Sequence, residues 1–165
     1  MNRSKFVRET AVERDASVPG RYHAELSDDW NAPLNPQGGV SSVVALRAMI
    51  AELDHPDQTL RTCTTMFAGQ VPAGPLEVDV TVLRRGRSMS QASATVRAAG
   101  ADHGHTVVAS FGQPRSGFWY TDATRPDVAP PSECPSFRDP PPEGFEGRGL
   151  EEPPSPVEYA KTRRG

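Results

Sequence analysis

Apolar positions are most concentrated between residues 40 and 53, where only four polar side chains interrupt the run: Ser41, Ser42, Arg47 and Glu52. A helix that is apolar on nearly every face is buried, so the pattern predicts a buried central helix. Asn35 is predicted to be its N-cap, with Pro36 in the first helical position, where a missing N–H costs nothing. The helix should end at residues 54–56, because proline disfavours helical geometry in the residue before it.

Gly38 and Gly39 fall in the first turn of this helix, although each costs roughly 1 kcal/mol there relative to alanine. Glycines at this place allow another group to approach the backbone closely. The unpaired N–H groups of a helix N-terminus stabilise negative charge, whether fixed on a ligand or developing on a carbonyl oxygen. The alternative is that the glycines serve only close packing of the helix on a sheet, and the glycines alone favour this second interpretation.

The pattern changes after the helix. β-Branched residues and alternating apolar and polar positions predict four strands, at residues 59–67, 76–83, 89–99 and 105–111. Two weaker strands are predicted before the helix, at residues 6–12 and 21–26, separated by a turn at Val18-Pro19-Gly20. Short connections favour antiparallel neighbours, and a long antiparallel sheet wrapped around one apolar helix is an α+β fold.

The composition excludes several classes of protein. A net charge of −3 over 165 residues gives no electrostatic case for nucleic-acid binding. No apolar run reaches the length of a membrane span, and the N-terminus lacks the pattern of a signal peptide. Cys63 and Cys134 are too few and too far apart for a disulfide framework or a zinc site. We therefore expect a cytoplasmic protein with no metal and no cofactor.

Prolines mark the end of the folded part. Ten of the 17 prolines lie between residues 121 and 156, where apolar residues are sparse. Such a segment buries too little surface to offset its ordering entropy. The sequence therefore predicts one domain at residues 5–120 and a proline-rich linker and tail at residues 121–165, extended or disordered.

Five motifs occur in order along this domain: Trp30, Pro36-Gln37-Gly38-Gly39-Val40, Phe67, Leu83-Arg84-Arg85-Gly86-Arg87-Ser88-Met89-Ser90 and Val108-Ala109-Ser110-Phe111. In this combination residues 6–120 resemble the first half of the TesB-like acyl-CoA thioesterases (acyl-CoA thioesterase II), which are double-hotdog proteins. The resemblance implies a hotdog fold with residues 40–53 as its central helix, acyl-CoA as the ligand and thioester hydrolysis as the reaction. It also implies pairing with a second hotdog domain. Without one, the unpaired sheet edge should make the chain form a homodimer or stay poorly soluble. Tyr159 falls where a second half would begin.

The same resemblance implies a set of site residues. The substrate-binding residues would be Gln37, Gly38, Gly39, Arg84 and Arg87. The first three would meet the thioester oxygen, and the arginines the phosphates of coenzyme A, although arginines in a hairpin loop are as often simply solvated. Gln113 matches the position of a catalytic glutamine. The family's catalytic Asp falls at residues 36–38, which contain no acid, and its Thr falls near Leu60. We therefore expect the chain alone to hydrolyse acyl-CoA poorly.

Two functions remain open at this point: an acyl-CoA thioesterase assembled from two hotdogs, and a non-catalytic acyl-CoA-binding or structural half. Other chemistry is not indicated. His103-Gly104-His105 has no partner ligands for a metal and is interpreted as a turn. Cys63 is interpreted as packed within its strand, and Ser41 and Ser42 lack the Gly-x-Ser-x-Gly surroundings of a serine hydrolase.

Overall fold

The computed structural model of the protein describes residues 4–118 and 120–134. The chain divides into two units, Met1–Arg115 and Ser116–Gly165. The described part of the second unit contains one 3₁₀ turn, Pro131–Glu133, and no strand. The rest of the predicted tail, with Tyr159, lies outside the described residues, so the linker and tail stay a prediction. Among the described residues, no helix combines the length and apolar character that a membrane crossing requires.

Six antiparallel strands form one sheet in the first unit. In chain order they are β1 (Glu13–Arg14), β2 (Arg21–Leu26), β3 (Thr59–Phe67), β4 (Gly74–Arg84), β5 (Met89–Ala98) and β6 (His105–Gly112). Their spatial order is β1-β2-β4-β5-β6-β3, so β3 lies at one edge beside the last strand. The sheet packs on one long helix, α2 (Gly38–Leu53), and the predicted α+β arrangement is confirmed.

The core lies between α2 and one face of the sheet. Alternate residues of β5 and β6 point inward: Ala92, Ala94, Val96, Val107, Ala109 and Phe111. The facing side of α2 contributes Val44, Ala45, Ala48 and Met49, all fully buried. Its other side is more open than the sequence predicts, because Ile50 is 52% exposed and Ala51 is exposed as well. The prediction of burial on nearly every face is therefore wrong for this open side of α2.

The start of α2 also differs from the prediction. Gln37, and not Asn35, is the N-cap, since its side chain accepts a hydrogen bond of 2.9 Å from the N–H of Gly39. The N–H of Gln37 donates to the carbonyl of Trp30 at 2.8 Å, which holds residue 37 outside the helix. Pro36 is buried ahead of the helix rather than in its first position.

The strand predicted at residues 6–12 is wrong, because a short helix, α1 (Lys5–Glu9), forms there. The hydroxyl of Ser4 caps it, and an ion pair of 3.3 Å joins its first and last residues. The carboxylate of Glu9 then accepts a hydrogen bond of 2.7 Å from the indole N–H of Trp30. The ion pair between residues one helical turn apart, together with this long-range contact, favours the helix over a strand.

Strand β3 forms an exposed edge of the sheet, and in the described part of the chain no strand pairs with its outer side. Its apolar side chains include Leu60 (43% exposed), Met66 (66%) and Phe67 (61%). Cys63, predicted to be packed, is exposed, as are nearly all the side chains of β3. A long edge strand with exposed apolar side chains is a template for pairing with another chain.

Candidate functional site

The first turn of α2 presents an N–H group that is already hydrogen-bonded. Gly39 is exposed, and its N–H donates to Oε1 of Gln37. The three atoms nearest to a methyl group added at Gly39 all belong to that side chain, and Oε1 would be 2.8 Å away. The amide of Gln37 therefore occupies the N–H group that is predicted to meet a thioester oxygen.

Gly38 has different surroundings. A methyl group there would lie 2.5 Å from Cε1 of Phe67, whose ring covers the glycine. The packing interpretation therefore applies to Gly38 and not to Gly39. The same ring contacts the imidazole of His105 edge-on, with the ring centroids 4.7 Å apart.

Two hydroxyls tie this first turn to the sheet. Ser41 and Ser42 both donate to the carbonyl of Gly38, at 3.0 and 2.8 Å. Ser41 Oγ also lies 2.9 Å from Nδ1 of His105 on β6, and Ser42 Oγ lies 3.0 Å from Oγ1 of Thr65 on β3. His105 is the buried first residue of β6. The turn predicted at His103-Gly104-His105 therefore ends at Gly104. These contacts fix the N-terminus of α2 against the edge of the sheet.

Burial lowers the pKa of His105, while a hydrogen bond with the backbone of Gly69 acts in the opposite direction. A histidine whose folded-state pKa lies below its unfolded value stabilises the fold while it is neutral. That contribution is complete above about pH 6.5 and is lost as the pH falls through the folded-state pKa. The urea midpoint should therefore be lower at about pH 5.5 than at about pH 7.5, and His105→Gln should flatten this difference. An equally steep dependence in the variant would contradict the assignment to His105.

A second group of polar side chains lies beyond the C-terminal end of α2. One carboxylate oxygen of Asp57 is 2.5 Å from Nδ1 of His55, and the other accepts a hydrogen bond from Nε2 of Gln113. The hydrogen bond from Gln113, followed by that from His55, lowers the pKa of Asp57. Gln113 itself follows β6, and its backbone N–H donates to the carbonyl of Ser88 at 3.0 Å. The predicted catalytic glutamine thus adjoins an acid that the sequence analysis missed.

The hairpin between β4 and β5 lies at this same end of α2. The guanidinium of Arg85 donates to the carbonyls of Leu53 and Glu52, the latter at 3.0 Å, and so caps the last turn of the helix. Arg84, the last residue of β4, and Arg87, in the loop, are both exposed. The structure therefore places the two predicted phosphate-binding arginines near Gln113 rather than near the glycines.

The two groups lie at opposite ends of α2. Its 16 residues span about 24 Å at 1.5 Å per residue, so one chain does not bring Gln113 to the glycines. Strand β3 runs between them. Its first residue, Thr59, pairs with Gly112 beside Gln113, and its last, Phe67, covers Gly38. A site that uses both groups must take them from two domains.

Known families include one with this arrangement of helix and sheet. The family described as the acyl-CoA thioesterase N-terminal domain matches residues 26–112, just over half of the chain. The chain belongs to this family. The resemblance inferred from the ordered motifs is thereby confirmed.

Solved structures share the hotdog fold of this acyl-CoA thioesterase domain. A conserved protein of unknown function with a hotdog fold, from Alicyclobacillus acidocaldarius, is 26% identical, with a TM-score of 0.70 over 86% of this chain and 52% of that one. A protein proposed to be a thioesterase II, from Thermobifida fusca, is also 26% identical, with a TM-score of 0.67 over 79% of this chain and 47% of that one.

An acyl-CoA thioesterase II from Mycobacterium marinum shows the same fold at 18% identity, with a TM-score of 0.62 over 79% of this chain and 47% of that one. The chain thus spans about half the length of these structures. No curated protein matches it. The hotdog prediction is confirmed.

The acyl-CoA thioesterase domain carries two polar residues that sequence reasoning missed, His55 and Asp57. Their signal in the sequence is the short motif His55-Pro56-Asp57 directly after the helix. Residues 54–56 were predicted only to end the helix, and Asp57 was not considered, because its hydrogen bond with Gln113 joins positions 56 residues apart. The roles of Gln37, Gly39 and Gln113 in binding and catalysis stay predictions.

Alanine substitutions at the two glycines should have different effects. Gly38→Ala must move the ring of Phe67 and should cost about 1–3 kcal/mol of stability. Gly39→Ala displaces only the exposed side chain of Gln37, so the lost cap and the better helix propensity should nearly cancel, leaving stability within about 1 kcal/mol of wild type. Urea unfolding of both variants measures the contrast, and equal destabilisation would refute it.

Proposed function

We propose that this domain binds acyl-CoA thioesters and hydrolyses them when it is paired with a second hotdog domain along strand β3. Family membership supports the ligand class. The observation that supports the pairing is the position of two groups, the first turn of α2 and the Asp57–Gln113 pair. They lie at opposite ends of β3, too far from each other to act together within one chain.

Antiparallel pairing of two copies of β3 would bring the separated groups together. Cys63 is the middle residue of Thr59–Phe67, so pairing about that point sets the start of one β3 against the end of the other. Asp57 and Gln113 of one domain would then approach Gly38 and Gly39 of its partner. The apolar side chains of β3 and the open side of α2 would be covered in the same step.

Each group would supply a different part of the chemistry. The N–H of Gly39, released from Gln37, would stabilise the negative charge that develops on the thioester oxygen. Asp57, held by Gln113, would supply the carboxylate that hydrolysis needs near the attacking water. This arrangement also accounts for the expectation that a single domain hydrolyses poorly.

Cross-linking tests the pairing directly. Opposed residues of antiparallel strands have Cα atoms about 4.5–5.5 Å apart, within the range of a disulfide. If two copies pair about Cys63, oxidation by copper phenanthroline should give a covalent dimer. Cys134→Ser should still cross-link, whereas Cys63→Ser should not. A well-folded monomer in analytical ultracentrifugation at all micromolar concentrations would rule out self-pairing.

Subunit complementation tests the shared site. Gly39→Val damages one end of the helix and Gln113→Ala the other, and each variant alone should hydrolyse acyl-CoA poorly. In a randomly mixed population half of the dimers carry one intact site, so activity should recover to about a quarter of the wild-type value. No recovery from two variants that both dimerise would show that the groups act separately.

A non-catalytic acyl-CoA-binding half is the second candidate function. The self-cap of Gln37 on Gly39 favours it, because the N–H that would stabilise the thioester oxygen is occupied in this structure. Tight binding of acyl-CoA by the paired protein without turnover would decide for this candidate. For either function we propose a cytoplasmic location, where the two free thiols would remain reduced.

A further inference from the structure

Arg61 occupies a β-bulge near the start of β3. The pairing of β3 with β6 shifts between Leu60 and Thr62, so Arg61 has no opposite residue on β6. A bulge redirects the side chain of its extra residue. Here the guanidinium reaches across to β6, where Nε–H donates to the carbonyl of Gly112 at 3.1 Å. One N–H group of an exposed guanidinium is thereby fixed in place, and the others remain available to a ligand.

Arg115, which follows β6, is held beside the same strand end. Its Nη2 donates to Oγ of Ser88 at 3.3 Å, and the carbonyl of Ser88 accepts a hydrogen bond of 3.0 Å from the N–H of Gln113. A methyl group built on Gly112 would lie 3.4 Å from Cγ of Arg61 and 3.5 Å from the carbonyl oxygen of Ser88. The two arginine side chains are therefore anchored around the same two residues, Gly112 and Ser88.

Neither of these guanidinium groups is neutralised by a carboxylate. In the part of the chain that the structure describes, the arginines with ion pairs to carboxylates are Arg14, Arg21 and Arg97. The carboxylate of Asp57 is engaged by His55 and Gln113 instead. Two cations held near each other are stabilised by an anion that both contact, and the planar guanidinium matches the oxygens of a phosphate group.

The two arginines that the family resemblance implied are less well prepared for this role. Arg84 and Arg87 are exposed, and among the described residues neither side chain makes a hydrogen bond or an ion pair. A long side chain that is free in solution loses rotamer freedom when it binds a ligand. Arg61 and Arg115 lose less, because hydrogen bonds already hold them.

The separation between this pair and the glycines suits coenzyme A. Phe67, which covers Gly38, lies six residues beyond Arg61 on β3, about 20 Å at roughly 3.3 Å per residue. In an acyl-CoA molecule the long pantetheine arm separates the thioester from the phosphate groups. An anion site at the far end of β3 therefore fits a substrate whose thioester lies at the first turn of α2.

We propose that Arg61 and Arg115, together with the hydroxyl of Ser88, bind the phosphate groups of a coenzyme A thioester. This inference rests on the proposed function and names the residues that recognise the nucleotide end of its substrate. The guanidinium groups donate charge-assisted hydrogen bonds to phosphate oxygens. Ser88 Oγ accepts from Arg115 and keeps its own hydrogen to donate to the phosphate.

These contacts should affect KM rather than kcat. The phosphates are remote from the reacting carbonyl, so the arginines hold them equally in the ground state and in the transition state. In the paired protein, the double variant Arg61→Ala/Arg115→Ala should raise KM for acyl-CoA about tenfold or more and leave kcat within about twofold of wild type. Hydrolysis of acyl-pantetheine, which has no phosphate group, should be unchanged.

Calorimetry of the full chain with coenzyme A measures binding without turnover. Arg61→Ala and Arg115→Ala should each weaken binding about three- to tenfold, and added salt should weaken binding to wild type more than binding to the double variant. Arg125→Ala is the matched control, because Arg125 is exposed in the second unit and forms no ion pair among the described residues. It should bind coenzyme A as wild type does. Inorganic phosphate, titrated in parallel, should bind far more weakly than coenzyme A.

The possible failures are distinguishable. Unchanged affinity for coenzyme A in both folded single variants rules out the site, even where the protein hydrolyses acyl-CoA. Equal losses for acyl-CoA and acyl-pantetheine mean that the arginines act only on the structure, and they refute the proposal. Inorganic phosphate binding as tightly as coenzyme A contradicts the assignment to this substrate. Binding of coenzyme A that depends on both arginines, without hydrolysis by the paired protein, upholds the site and refutes the thioesterase function.

Discussion

Replacing Gly104 by alanine should destabilise the fold by about 3 kcal/mol or more, which corresponds to roughly 10 °C in Tm for a domain of this size. Gly104 is buried directly before β6. A methyl group there would lie 2.0 Å from the carbonyl oxygen of Val96 and 2.8 Å from Cα of Arg97. Both atoms belong to the backbone of β5, so no side-chain rotation can relieve the clash and the β5–β6 pairing must open. Urea and thermal unfolding measure the loss.

Asp102→Ala is the matched control, because Asp102 is exposed in the same connection. It should leave stability within about 0.5 kcal/mol of wild type. A Gly104→Ala protein as stable as this control would mean that the two strands do not approach each other at Gly104 as closely as described.

Replacing Asp57 by asparagine should lower kcat/KM of the paired protein about 10²–10⁴-fold. The substitution removes the carboxylate charge that the proposed function places near the attacking water, but it keeps the size of the side chain. Gln113→Ala should give a smaller loss, since it leaves the carboxylate in place and removes one of its two hydrogen-bond partners. Steady-state hydrolysis of acyl-CoA across a range of pH values measures both effects.

Asp54→Asn provides the control for charge alone. Asp54 is an exposed carboxylate three residues earlier, in the left-handed conformation with φ 46°, which asparagine adopts readily. It should keep wild-type activity. Equal losses in Asp54→Asn and Asp57→Asn would point to a general electrostatic effect and remove Asp57 from the site.

Features that depend on neighbouring residues were predicted well from the sequence. The apolar run at residues 40–53 fixed the central helix, because burying so many apolar side chains in one segment leaves few alternatives. Alternation along β4 predicted that Leu76, Val78, Val80 and Val82 share one side, and that side faces the core. The family was predicted from short motifs, each made of neighbouring residues, that occur in a fixed order along the chain.

Features that depend on distant partners were predicted poorly. Gln37 rather than Asn35 caps α2. The backbone N–H of Gln37 donates to the distant carbonyl of Trp30, and its side chain accepts from the N–H of Gly39. Cys63 was predicted to be packed, but the order of strands in the sheet leaves it at an edge. Neither outcome is encoded in the residues beside these positions.

By itself, the sequence determined the fold class, the central helix with its glycine-containing first turn, and Gln113 as a candidate catalytic residue. Only the tertiary structure showed that the ring of Phe67 packs on Gly38 and that Gln113 adjoins Asp57. It also showed that the glycines and the Asp57–Gln113 pair lie at opposite ends of α2. The physical reason is that helix and strand patterns arise from interactions between residues close in sequence, whereas a site depends on contacts between distant segments. Such contacts exist only once the sheet has brought β3 and β6 together beside α2.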